Sequence, residues 1–213
     1  MRLTKLGHAC VRVTKDDRTL VIDPGGLTPE ADAMAGAEAI LITHEHFDHL
    51  EERRLRQALE ADPRTVVYTC RGVADALADL GGRVRVVGNG DALGIAGFDV
   101  AVIGEKHEIT HPDVPPVDNV GFLLDGVLFH PGDAFSVPDV PVPTLLVPAQ
   151  APWMKAPEMI EYLREVRPRH AYAIHDGLVN DIGLELIKSQ LAGEAEHQGA
   201  DMRRLLPGES IEV

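Results

Sequence analysis

Basic charge, aromatic rings and cysteine are all scarce in this chain. Its 20 lysines and arginines stand against 34 acidic residues, a formal net charge of −14 over 213 residues. No basic stripe is available to collect phosphates, so no nucleic-acid partner is expected. Acidity does not exclude a locally positive site, because bound metal ions dominate the field around them. Aromatic residues make up 4% of the chain and hydrophobic residues 45%, so a packed core is expected, built mainly from Val, Leu, Ile and Ala. The two cysteines, Cys10 and Cys70, lie in apolar strand-like runs. That placement predicts buried free thiols rather than a disulfide framework, and it fits a reducing cytoplasm. No apolar run approaches the length of a membrane span, and Met1-Arg2-Leu3-Thr4-Lys5 runs straight into a strand pattern instead of a signal peptide. No repeat, low-complexity tract or linker divides residues 1–213, so one soluble cytoplasmic domain is expected, with two βαβ-like halves facing each other as one arrangement of it.

What the chain does have is Thr43-His44-Glu45-His46-Phe47-Asp48-His49, between the apolar run 39–42 and a helical pattern at 50–60. Extended backbone sends His44 and His46 to one side, and Asp48 and His49 follow as the chain enters the helix. A polar helix start could use Asp48 alone, but it does not require three histidines in six residues. Imidazole nitrogens with a carboxylate oxygen are a donor set for a catalytic divalent metal.

Other polar residues recur at strand ends. Residues 3–13 read as a strand carrying His8, which either packs or faces the site; 15–18 read as a turn and 19–22 as a short buried strand. Asp23-Pro24-Gly25-Gly26 follows, where Asp23 is either simply the first residue of a turn or an acid that orients a metal-binding histidine. Residues 27–38 read as a loop with a short helix, 65–70 as a strand, 73–80 as a helix and 84–87 as a strand. Strand 98–103 leads to His107 and His111, and the hairpin 120–124/127–129 ends in His130-Pro131-Gly132-Asp133. Strand 145–147 precedes a loop with the only tryptophan, Trp153, a residue of the core or of a pocket wall. Helix 157–166, strand 170–174 ending at His175, helix 182–191, and strand-like runs at 204–206 and 210–213 complete a layered α/β pattern.

The set His44-x-His46-x-Asp48-His49, a later strand-end histidine, Gly132-Asp133 and His175 resembles the metallo-β-lactamase superfamily over nearly the whole chain. The nearest likeness is to the compact branch with Gly-His near the N-terminus and Asp-Pro after an early strand, as in lactonases of sugar phosphates and phospholipase-D-type N-acyl-ethanolamine enzymes. The resemblance implies a four-layer αββα sandwich with two divalent metals at one edge. It implies that His44, His46 and His107 bind one metal, that Asp48, His49 and His175 bind the other, and that Asp133 bridges them. His111 competes with His107, which lies nearer the end of strand 98–103. His8 would line the pocket with His111 and Trp153, while Lys106 and Lys155 are further candidates for substrate contact. Two departures stand out: Ala134 follows Asp133 where many relatives have threonine, and His130 adds a polar group beside the site.

The activity implied is hydrolysis of a small ester, lactone, amide or phosphodiester by a hydroxide shared between the metals, with Asp48 orienting it and passing a proton to the leaving group. Histidines and carboxylates without thiolate suit zinc first, and also manganese, iron or nickel. A nuclease of the same fold is disfavoured by the acidity, and an oxygen-reducing diiron partner by the intact ligand set. A metal-binding or sensor protein without turnover remains the rival from another class. Substrate and oligomeric state are not legible.

Overall fold

The computed structural model describes residues 1–30 and 32–213. Strands β1 (Arg2–Gly7), β2 (Cys10–Lys15) and β3 (Arg18–Ile22) form an antiparallel meander. The chain then continues through β4 (Ala39–Ile42), α1 (Glu52–Ala61), β5 (Val66–Thr69), α2 (Arg71–Ala76) and β6 (Val84–Val86), with each strand from β3 onward parallel to the next. The pattern repeats. β7 (Ala92–Ile95), β8 (Phe98–Ile103), β9 (Gly121–Leu124) and β10 (Leu128–His130) are antiparallel. β11 (Thr144–Pro148), α3 (Ala156–Val166), β12 (His170–Ile174), α4 (Asp181–Gln198) and β13 (Asp201–Arg203) follow in parallel register. β14 (Ser210–Glu212) returns to the edge of the first sheet beside β1. The two seven-stranded sheets run β14-β1-β2-β3-β4-β5-β6 and β13-β12-β11-β10-β9-β8-β7.

Side chains alternate across each strand, and the second sheet shows which way each face looks. Phe122, Leu124, Leu128, Leu146, Tyr172 and Ile174 join the core shared with the first sheet. Their neighbours Leu123, Phe129, Leu145, Val147, Ala171 and Ala173 pack instead with Met159, Tyr162 and Leu163 of α3 and Ile187 and Leu191 of α4. Leu55 and Leu59 of α1 pack with the first sheet. The result is the αββα layering expected from the resemblance. Polar residues at the strand ends are thereby brought to one edge of the sandwich.

Four local expectations change. The run 3–13 is two strands, not one, because Gly7 (φ +149°) and His8 (φ +38°) make a tight turn. A side chain at Gly7 would place its Cβ 2.6 Å from Cδ of Pro29, while the apolar alternation on either side masks the break. The helix expected at 73–80 starts at Arg71 and ends at Ala76, and a 3-10 segment follows in which Gly81 adopts a left-handed φ of +55°. The closing strand-like run at 204–206 sits instead at Asp201–Arg203, after α4 extends to Gln198 and stops at left-handed Gly199. Among its described residues the segment 27–38 contains turns and no helix; Ala31 lies outside the described residues.

Candidate metal centre

The first two contributing loops interlock because β3 and β4 are parallel neighbours. Asp23 closes β3 in a left-handed conformation (φ +50°) and is completely buried. Its carboxylate accepts from Thr43 N (2.8 Å), Thr43 Oγ1 (2.7 Å) and His49 Nδ1 (2.7 Å). Gly25 lies so close to the histidine loop that a Cβ there would sit 1.8 Å from the carbonyl oxygen of Asp48. Gly132, at φ +67°, turns β10 toward the site, and a Cβ there would lie 2.3 Å from Oδ1 of Asn119. The same Asn119 oxygen accepts from Asp133 N at 3.0 Å.

Backbone and carboxylate acceptors set the histidine tautomers. His107 Nδ1 donates to the carbonyl of Glu108 (2.6 Å), His175 Nδ1 to that of Gln150 (2.5 Å), and His49 Nδ1 to Asp23. Thr43 Oγ1, having given its proton to Asp23, can accept from His44 Nδ1 at 2.9 Å. One buried carboxylate thus orients both His44 and His49. In each ring Nδ1 is engaged and Nε2 is the nitrogen left for a ligand, the arrangement used by histidines that bind metals.

Three of these Nε2 atoms converge on Asp133, while that of His44 lies 3.1 Å from His46 Nδ1. His49 Nε2 lies 3.1 Å from its Oδ1, and His175 Nε2 and His107 Nε2 lie 3.0 and 3.4 Å from its Oδ2. These three nitrogens and Asp133 Oδ1 are buried without hydrogen-bond partners among the described residues. Close contact without hydrogen-bond geometry is costly for buried polar atoms. Tetrahedral ligation at about 2.1 Å puts donor atoms roughly 3.4 Å apart, so the cluster fits metal ions. Two groups have donors within 4.8 Å of one another: His44, His46, His107 and Asp133, and His8, Asp48, His49 and His175. His8 differs from the other members because both of its nitrogens are engaged, Nδ1 by Gly177 N–H (3.0 Å) and Nε2 by Asp48 Oδ2 (3.1 Å).

Electrostatics of the metal-free cluster follow from burial set against contact. Burial opposes charge on Asp133, but His49, His107 and His175 outweigh it and hold the carboxyl well below its usual range. Burial is likewise outweighed at Asp48 by contact with His175 (3.4 Å) and a hydrogen bond from His8, which hold that carboxyl low. Burial disfavours the imidazolium of His175, yet contact with Asp133 and Asp48 pushes it up to about 9. His49 is raised in the same way, against its burial, by Asp133 and Asp23. Burial dominates at His44 and His46, which stay neutral.

The structure thus gathers His44, His46, Asp48, His49, His107, Asp133 and His175 at one place. His111 lies elsewhere, exposed beside Asp113, with Nδ1 accepting from Asp113 N at 3.1 Å. His8 is buried and committed on both sides, not an open pocket wall. Trp153 is half-buried, and its Nε1–H donates to Asp133 Oδ2 at 3.0 Å. His130 points into the fold and ties Ala9 O (2.9 Å) to Gly132 N (3.2 Å). Lys106 is paired with Asp118 at 2.6 Å, and Lys155 is exposed. Both thiols are buried, and burial pushes Cys10 up to about 12, so neither is a nucleophile. Sequence reasoning gave no role to Thr43, Asn119 or Gln150. Thr43 stood inside the histidine motif, while nothing in the sequence pointed to Gln150, whose contribution is a backbone carbonyl.

The chain is similar to proteins of a known family. Residues 2–175 match the family described as Beta-lactamase superfamily domain. Protein Rv0786c of Mycobacterium tuberculosis is 39% identical over 184 residues, covering 84% of this chain and 85% of its own. A UPF0173 metal-dependent hydrolase of Methanoculleus marisnigri is 37% identical over 95 residues, 41% of this chain and 39% of its own. Among solved structures, Igni18, a metallo hydrolase from Ignicoccus hospitalis, superposes with a TM-score of 0.73 at 19% identity, covering 100% of this chain and 98% of that one. No helix among the described residues is long and apolar enough to cross a membrane. With its two facing sheets and the strand-end histidine cluster, the chain belongs to the β-lactamase superfamily and has the metallo-β-lactamase fold.

Proposed function

We propose that this chain is a dinuclear metal-dependent hydrolase of a small ester, lactone, amide or phosphodiester, built as one domain over residues 1–213. The observation that carries this reading is the convergence of three imidazole Nε2 atoms, none of them hydrogen-bonded among the described residues, on the Asp133 carboxylate at 3.0 to 3.4 Å. His44, His46 and His107 would hold one divalent metal, Asp48, His49 and His175 a second, and Asp133 would serve both. The donors are nitrogen and oxygen only, which suits zinc, with manganese, iron and nickel also compatible. Two such ions would supply Lewis acidity and bring the pKa of a water toward neutrality.

The chain's own residues supply the rest. Asp48, ionised and anchored by His8 (3.1 Å), is placed to orient the attacking water and to carry a proton to the leaving group. Trp153 caps Asp133 from the 148–157 side, where its ring also packs against His107 (centroids 5.7 Å apart). The loops at 104–118 and 148–157 flank the centre and would set specificity. With both thiols buried, attack falls to water rather than to a side-chain nucleophile.

The test is metal content after purification without added metal, paired with turnover of a lactone, an aryl ester and a bis-aryl phosphodiester. Chelator-sensitive turnover of one of these supports the hydrolase. Bound metal with no turnover across the panel favours a sensor.

A further inference from the structure

The turn between β1 and β2 spends an unusual conformation on one ring. His8 sits at φ +38°, and it is buried. Its carbonyl accepts from His175 N at 3.2 Å, so the turn is bonded directly to the loop after β12. Its Nδ1 lies 3.0 Å from Gly177 N, and its Nε2 lies 3.1 Å from Asp48 Oδ2. A backbone N–H can only donate, so Nδ1 must be bare. The single proton of the neutral ring then sits on Nε2 and points at Asp48. The ring also stacks at a tilt on His175, with centroids 4.1 Å apart. A Cβ on Gly177 would come within 3.0 Å of Nδ1, so the bond to the loop requires glycine or a shift of the loop.

We propose that His8 is a positioning residue whose Nε2–H fixes the Asp48 carboxylate, while its Nδ1, accepting from Gly177 N, fixes the tautomer that makes this donation possible. The proposal rests on the reading of Asp48 and His175 as metal-binding residues. His8 is not itself a ligand: with Nδ1 accepting and Nε2 protonated, no lone pair is left. Its effect is carried through Asp48, whose carboxylate would otherwise be free to rotate about its last torsion.

Two amide variants separate the two bonds. In His8→Gln the side-chain NH2 reaches the Nε2 position and can still donate to Asp48, while the acceptor for Gly177 is lost. In His8→Asn the side-chain oxygen reaches the Nδ1 position and can still accept from Gly177, while the donor to Asp48 is lost. Cobalt(II) titration followed by visible absorption reads affinity at each step without turnover. His8→Gln is expected to keep the weaker cobalt step within about 3-fold of wild type, and His8→Asn to weaken it roughly 10- to 100-fold. Asparagine tolerates a left-handed backbone better than glutamine does, so backbone fit alone predicts the opposite order.

Equal affinities in the two variants, or His8→Asn matching wild type, would overturn the role of His8 while leaving the metal centre standing. Wild-type protein that takes up no cobalt would remove the centre and this inference together. A measurement on unmodified protein protects against variants that fail to fold. Histidine side-chain 1H–15N spectra, with and without zinc, are expected to show His8 as the neutral Nε2–H tautomer in both. An Nδ1–H tautomer, or a metal-shifted Nε2, contradicts the proposal.

Discussion

Replacing Asp23 by asparagine tests the internal wiring of the centre. The change keeps the shape of the side chain, and asparagine accepts the left-handed φ of +50° at this position. Its oxygen can still accept from Thr43 N, but its NH2 then faces Thr43 Oγ1–H and His49 Nδ1–H, which the carboxylate now accepts at 2.7 Å each. Two charge-assisted bonds are lost in a site with no water access, each worth roughly 1.5–3 kcal/mol, so a loss of about 3 kcal/mol is expected in metal-free protein. For a chain of this size that corresponds to a fall in Tm of roughly 6–12 °C. Metal binding should be affected as well. Facing a donor, His49 moves its proton to Nε2, the atom aimed at Asp133, and the link through Thr43 Oγ1 to His44 is disturbed as well. Affinity at both metal steps should fall by about 10- to 100-fold. Competition of zinc against a chromophoric chelator measures this directly. An Asp23→Asn protein that binds both metals within twofold of wild type would refute the argument that this carboxylate sets the tautomers.

Two further outcomes follow from the same contacts. The folded pKa of His175 is raised from 6.5 to about 9, so its contribution is complete below pH 6.5 and is lost as pH rises through about 9. Metal-free protein should therefore lose up to about 3 kcal/mol across that window, and zinc affinity should rise over the same range because the bound form needs the neutral imidazole; a metal-free Tm that is flat from pH 6.5 to 9.5 contradicts this. Trp153 is the only tryptophan and donates to Asp133 at 3.0 Å, so its fluorescence should respond to zinc in proportion to occupancy, and the signal should vanish in Trp153→Phe while zinc binding persists. An unchanged emission spectrum at saturating zinc would place Trp153 away from the metals.

Much of this centre was legible because metal ligands come as residue types that packing does not need. His44, His46, Asp48 and His49 stand out at a spacing no core requires, and Asp133 and His175 each follow an apolar strand, so side-chain chemistry and strand ends coincide. The β-strands read well where alternation is clean, as at Phe98–Ile103 and His170–Ile174, which fall at the expected bounds. The choice between His107 and His111 was less legible, because the loop has no periodicity; its register is set by His107 N bonding Val117 O and Glu108 N bonding Asp133 O. His8 was hidden for another reason. Apolar residues alternate on both sides of it, and the turn that makes it face inward depends on position 7 lacking a side chain, because a Cβ there would meet Pro29, 22 residues away in sequence. Short β7 escaped notice because three of its four residues are exposed and leave no alternating signal. Residues that act through backbone atoms, such as Gln150, leave no trace in a sequence at all.

The proposal to be tested is two metals held by two sets of side chains, with Asp133 close enough to serve both. The most direct measurement is zinc stoichiometry of the metal-stripped protein titrated back with zinc, for wild type and for His107→Ala, with hydrolysis of the ester, lactone and phosphodiester panel followed at each addition. The account predicts two equivalents in wild type, close to one in His107→Ala, and turnover that appears only as wild type fills. A single equivalent in wild type, or the same stoichiometry in both proteins, would contradict it.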